Sequence, residues 1–136
     1  MDIIVTTPKS QMDAAAQEAE DARGHIEAGG RPQYFRRFPL ARHPTIGPGD
    51  RVYYVEDGYI RGFAVVTAAG DACMNCETTG RRWGDGWYVF MDAKSWRWID
   101  PVPMTGFQGF RYRDRLLRPS DGEVGDWRDP KPEVAA

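Results

Sequence analysis

The sequence predicts an α+β domain, mainly β, built on a small, strongly curved β-barrel with one or two packed helices. Three observations carry that expectation. Val52 to Val55 and Tyr59 to Val66 are β-rich runs separated by Asp57-Gly58, a pair suited to a type I′ hairpin because both central residues take positive φ. Gly62 interrupts the second run, as a bulge or bend would in a sheet that must coil. Only one long stretch, Met12 to Ile26, repeats its apolar residues at helical spacing.

Taken in order, Ile3-Ile4-Val5-Thr6 reads as a first strand that stops at Thr7-Pro8. Thr7 is a candidate cap for the following helix, with Pro8 at its first position. Met12, Ala15, Ala16, Ala19, Ala22 and Ile26 make one apolar face, whose small alanines let the helix lie close to a sheet, and Gly29-Gly30 ends it. Four prolines between Arg31 and Pro48 forbid a long helix or a central strand. That stretch reads as an ordered loop pinned by Tyr34, Phe35 and Phe38. After the hairpin, Ala68 to Gly86 reads as a polar connection. Trp87 to Met91 and Trp96 to Ile99 read as two further strands, the latter turning Trp96 and Trp98 to one side. Gly106 to Tyr112 offers a last strand with glycine bends.

With 136 residues the chain is long enough for one core. The expected organisation is a domain over 1–117 and an acidic, disordered tail over 118–136, where aliphatic residues are few. There is no run of about 18 apolar residues to cross a membrane and no signal-peptide pattern at Met1-Asp2-Ile3. The cytoplasm is therefore the expected compartment, and no membrane partner is expected.

The net charge of −2 is unevenly spread. Arg31, Arg36, Arg37, Arg42 and Arg51 face only Asp50 in their stretch, and Arg111, Arg113, Arg115 and Arg118 enclose only Asp114. Basic blocks inside an acidic protein read either as a local anion-binding face or as solvated arginine-rich surface. Cys73 and Cys76 supply two of the four ligands a structural zinc needs, and His25 and His43 lie in other elements. No metal or cofactor is expected. Nucleophile-elbow and zinc-protease motifs are absent, so no catalytic residue is assigned.

The aromatics carry more. Trp83, Trp87, Trp96 and Trp98 crowd one stretch beside Arg81, Arg82 and Arg97. Part of such a set must be core, but rings next to guanidinium groups are also how proteins stack an unpaired or flipped base while holding its phosphates.

The succession of strand, alanine-rich helix, aromatic-basic loop and long hairpin resembles the PUA-like superfamily, and the EVE domain more than the ASCH domain. The residues behind the likeness are Pro39-Leu40-Ala41-Arg42, Gly49-Asp50-Arg51-Val52-Tyr53-Tyr54 and Ile60 to Val66. It spans residues 1–115 by element order and 31–66 by motif. It implies a small closed barrel that recognises RNA or a modified base in DNA, with Thr7, Ser10, Gln33 and Tyr34 at places comparable to the family's pocket. Two departures stand out. Ile3 and Ile4 replace the tryptophan often found in the first EVE strand. The Gly-x-Lys-x-x-Glu-x-Arg type signature of ASCH domains is missing, which argues against amidohydrolase chemistry.

The expected function is nucleic-acid binding, with Arg36, Arg37, Arg42 and Arg111 on phosphates. The pocket set is Thr7, Ser10, Gln33, Tyr34, Trp83, Trp96 and Trp98, with Tyr34, Trp83, Trp96 or Trp98 as the stacking ring. Two alternatives stand beside it. One is a hydrolase of modified nucleosides. The other is a small protein-interaction module, for example of phage origin, using arginine and tryptophan as interface anchors.

Overall fold

In a computed structural model the described residues are 1–8, 12–30, 33–75, 82–114, 118 and 121–134, with the side chains of 12–15, 33, 72–75 and 82–83 set aside. Among them lie one helix and seven strands: β1 (Asp2–Thr6), α1 (Met12–Glu27), β2 (Gln33–Phe38), β3 (Arg51–Glu56), β4 (Tyr59–Asn75), β5 (Arg82–Pro103), β6 (Phe110–Arg113) and β7 (Glu123–Asp126). The protein is α+β and mainly β. No helix of the described residues is long and apolar enough to cross a membrane.

The hairpin forms as the turn chemistry requires. β3 and β4 pair antiparallel across Asp57-Gly58, whose φ angles are 51° and 85°. The expected polar connection after it does not exist as such. β4 runs on to Asn75 and β5 begins at Arg82, so Ala68 to Gly86 belongs mostly to a long two-stranded ribbon. The two strands expected at Trp87 and Trp96 are likewise one strand, β5. Repeated register shifts along the β4–β5 ladder, the first between Ile60 and Gly62, let these long strands bend.

The strands follow the order β2-β5-β4-β3-β1-β6, and β7 adds to β5. β2 sits on the edge of the path, which is how its stretch tolerates flanking prolines; the ordered loop expected there is a strand between Gln33 and Phe38. The two ends of the path approach each other through side chains. Phe38 of β2 and Phe110 of β6 meet edge to face at 5.6 Å, and Arg36 donates to the Thr6 carbonyl at 3.2 Å. No backbone ladder joins β2 to β6, so the hydrogen-bonded sheet stays open.

Alternation divides the core. Ile3, Val5, Phe38, Val52, Ala64, Val66, Val89 and Met91 form the inner cluster, enclosed by residues from both ends of the path. Ile4, Tyr53, Val55, Ile60, Phe63 and Ile99 form a second cluster on the other face. α1 ends as expected. Gly29 takes a φ of 89°, its N–H donates to Ile26, and Gly30 donates to His25, a Schellman pairing. At its start Thr7 donates its amide to the Val55 carbonyl, and residues 9–11, which the expected cap would serve, lie outside the described residues. Ala22 is buried and Ile26 half-buried, whereas Ala16 and Ala19 stay exposed, so only part of the alanine face is covered.

The tail expected to be disordered is an ordered part of the domain over 121–134. Low aliphatic content misleads here because charge, not apolar area, fastens the segment. Asp121, with its side chain 2% exposed, accepts from Arg51 at 3.2 Å, pairs with Arg113 at 2.9 Å and takes the Tyr53 hydroxyl. Arg118 donates through Nε to Asp2 at 2.8 Å, and β7 pairs with β5. These acids are buried at no ruinous cost because each meets guanidinium groups.

Candidate functional site

Alternation along β2 turns Tyr34, Arg36 and Phe38 toward the inside of the curled sheet, opposite Met91, Val89 and Trp87 of β5. Tyr54 of β3 and Trp96 of β5 join them, with ring centroids 5.7 Å apart and an interplanar angle of 61°. The Tyr54 hydroxyl donates to the Met91 sulfur at 3.5 Å. Trp96 lies directly on the backbone of Gly62: a Cβ there would stand 2.5 Å from the indole ring and 2.5 Å from the Arg97 carbonyl oxygen. Glycine at this position therefore serves the close approach of a ring. Tyr34, Tyr54 and Trp96 are all half-buried. Among the described residues the indole nitrogens of Trp96 and Trp87 are buried without an acceptor, an uncommon state for a strong donor.

The surrounding charges come from three elements. Burial pushes the Tyr34 phenol up to about 12, helped by Tyr54 and by Glu18 of α1. Burial also raises Tyr54, with the Arg36 guanidinium opposing and Glu56 and Glu18 adding to the rise. Glu18 itself is exposed overall, yet its carboxyl is shielded enough by the packed surface, and close enough to Asp21, for its pKa to rise. Both phenols are thus neutral donors at ordinary pH, set between a guanidinium and two carboxyl groups. Such a cluster can stack a flat ring and offer it hydrogen-bond donors.

Of the residues singled out from sequence, Tyr34, Arg36 and Trp96 come together here, while Thr7 is placed by its amide on the Val55 carbonyl. Trp98 is next to Trp96, at 5.1 Å and 86°, but its N–H donates to the Asp129 carbonyl at 3.2 Å beneath the C-terminal segment. Arg37 is exposed on β2, not in a loop, and its Nε donates to the Asp85 carbonyl at 3.1 Å. Arg42 is exposed in the turn after β2, its amide bound to the Pro39 carbonyl. Arg111 is exposed on β6 with its guanidinium 4.2 Å over the Phe107 ring. The contact of Phe38 with Phe110 makes the β2 and β6 basic blocks neighbours. Arg51, Arg113 and Arg118, by contrast, are spent on Asp121 and Asp2. Gln33 is placed by backbone opposite Asp92, and Trp83 opposite Met74 in the far part of the ribbon. Ser10 and Cys76 lie outside the described residues. Among the described residues no group of three or more His, Cys, Asp or Glu could hold a metal ion.

Sequence reasoning passed over three members of the site. Tyr54 was legible from its alternation with Val52 on the inner face. Glu18 had no signal beyond being one acid on a polar helix face. The third is the stack of His43 on Trp87, at 3.9 Å and 10°, which joins residues far apart in the chain and left no local trace. Searches for a matching family, for related characterised proteins and for similar solved structures find none, so the chemistry of the site rests on its own geometry.

Proposed function

We propose that this protein is a PUA-like, EVE-type domain that binds nucleic acid and receives one unpaired or flipped base against Trp96 and Tyr34. In this reading the seam between β2 and β6 is the closure of a barrel, made by Phe38 on Phe110 and by Arg36 on the Thr6 carbonyl. The observation that carries it is Trp96: a half-buried ring packed against Gly62, tilted 61° to Tyr54, with an indole N–H that no acceptor among the described residues satisfies. A base carbonyl supplies that acceptor, and a base plane supplies the stacking partner. Arg36, Arg37, Arg42 and Arg111 supply positive charge along the same seam for the phosphates.

The test is a binding screen with short RNA and DNA strands, with and without modified bases, at several salt concentrations. Affinity is expected to fall steeply with salt. Trp96→Ala should cost about 1–3 kcal/mol of binding with the salt slope nearly unchanged. Failure of every strand to bind more tightly than about millimolar at low salt, weaker than ordinary non-specific binding, sinks the reading.

A further inference from the structure

Arg61 has no part in the site above, and its surroundings are unusual. It is 5% exposed. In the β3–β4 ladder Val55 pairs with Ile60 and Tyr54 with Gly62, so Arg61 is the extra residue of a bulge, a device that re-aims a side chain. Its Nη2 donates to the Pro132 carbonyl, and its Nε is buried without an acceptor. Among the described residues it forms no ion pair. A guanidinium withdrawn from water and met by one carbonyl dipole keeps its charge uncompensated, which is costly.

The segment that supplies the carbonyl is held lightly. Residues 127–134 contribute nothing to the buried core. A turn ties the start of the segment to Asp126 of β7, with the Asp129 amide on the Asp126 carbonyl at 3.0 Å and the Arg128 amide on the Asp126 carboxylate at 2.8 Å. Beyond that turn its ties to the other strands, among the described residues, are the Pro132 carbonyl on Arg61, the Asp129 carbonyl on the Trp98 indole and a surface pair between Lys131 and Glu56 at 2.6 Å. Trp98 stands opposite Gly62, the neighbour of Arg61, in the β4–β5 ladder. Two donors from neighbouring positions of the β4–β5 ladder, one of them cationic, are therefore occupied by backbone carbonyls that bring no negative charge. We propose that Arg61 and Trp98 form a binding site for a phosphate-type oxyanion, and that residues 127–134 are a strap whose carbonyls occupy those donors until the anion displaces them. An oxyanion gives the guanidinium both the acceptor and the counter-charge it lacks.

The test follows the Arg61 Nε–H and Trp98 indole N–H signals of the full chain in proton–nitrogen spectra. Sodium phosphate is titrated against sodium chloride at equal ionic strength. Phosphate is expected to shift both signals to saturation, and chloride to shift neither. Lys131→Gln should lower the phosphate midpoint by up to about fivefold, the worth of an exposed ion pair. The substitution removes a positive charge, which on charge alone would weaken anion binding, so a gain comes only from the loosened strap. Arg61→Lys should abolish the Trp98 response; if that variant fails to fold, the wild type and Lys131→Gln still decide. A single-stranded oligonucleotide at matched phosphate concentration separates the sources: displacement at a lower concentration assigns a polymer backbone, and displacement by inorganic phosphate alone assigns the free anion. Equal shifts with phosphate and chloride, or an unchanged midpoint in Lys131→Gln, overturn the proposal. Inorganic phosphate carries no base, so the failure of base binding and the failure of this site are read separately.

Discussion

Two regions of this molecule are assembled from the same residue types and end in opposite electrostatic states. In the C-terminal clamp, Asp121 and Asp2 meet Arg51, Arg113, Arg118 and Tyr53, and Arg51 and Arg113 also lie over the rings of Phe63 and Tyr53 at 4.0 and 4.2 Å. On β2, Arg36 in the inner aromatic cluster and Arg37 on the opposite, exposed face meet, among the described residues, the carbonyls of Thr6 and Asp85. A carboxylate cancels a guanidinium, whereas a carbonyl only orients it. The clamp therefore has its charge cancelled inside the fold, and the β2 arginines keep theirs.

The largest expected effect lies in the clamp. Asp121→Ala leaves two arginines and a phenol facing a void, and removing one member of a buried ion network typically costs about 3–5 kcal/mol. The lower end is expected, because the Arg51 and Arg113 side chains keep 20% and 13% of their exposure. Glu18→Ala, on the exposed surface of α1, should cost less than about 0.5 kcal/mol. Urea denaturation midpoints of the two variants compare the regions directly, and equal losses would erase the distinction.

Next comes Gly62→Ala. The added methyl has nowhere to go between the Trp96 ring and the Arg97 carbonyl, and forced overpacking costs roughly 1–3 kcal/mol. Thermal unfolding reads the loss. The displaced ring should also weaken base binding, an effect that no clamp variant shares.

The phenols offer a pH test of the same contrast. Tyr34 and Tyr53 are both raised from 10.0 to about 12. Burial leads in each case, followed by Tyr54 for Tyr34 and by the Asp121 hydrogen bond for Tyr53. Because the folded values lie above the unfolded ones, this contribution to stability is complete below pH 10.0 and is lost as pH rises toward about 12. Asp121→Asn should lower the Tyr53 value and leave Tyr34 where it is, as ultraviolet titration of the tyrosines would report.

Legibility in the sequence followed the range of the interaction. The Asp57-Gly58 turn, the Gly29-Gly30 helix end and the bulge beside Gly62 are local, and each was readable from a few residues. β2 was missed because its prolines speak of an edge and were read as a loop. The ribbon over 68–75 and 82–86 was missed because small and polar residues there pair backbone to backbone without a hydrophobic pattern. The tail was misread because its anchors are single acids, Asp121 above all, whose partners stand about seventy residues away on β3. The site divides the same way. Tyr34 and Trp96 announced themselves by residue type, whereas His43 on Trp87 and Glu18 near the phenols exist only through tertiary placement.

The smallest effect is also the sharpest. Arg37 and Arg113 are both arginines of the two basic blocks, one meeting no carboxylate among the described residues and one paired with Asp121 at 2.9 Å. On single strands each phosphate neutralised adds about 0.7 to the slope of log affinity against log salt. Arg37→Ala should therefore flatten the slope by about that amount, with stability nearly unchanged because its side chain is exposed. Arg113→Ala should do the reverse, lowering stability while leaving the slope alone, since a charge already cancelled by Asp121 releases no counterion when nucleic acid arrives. Equal slopes for the two variants would mean that pairing inside the fold does not decide which arginines touch phosphate. The contrast between the two regions would then fail at the one place where they use the same side chain.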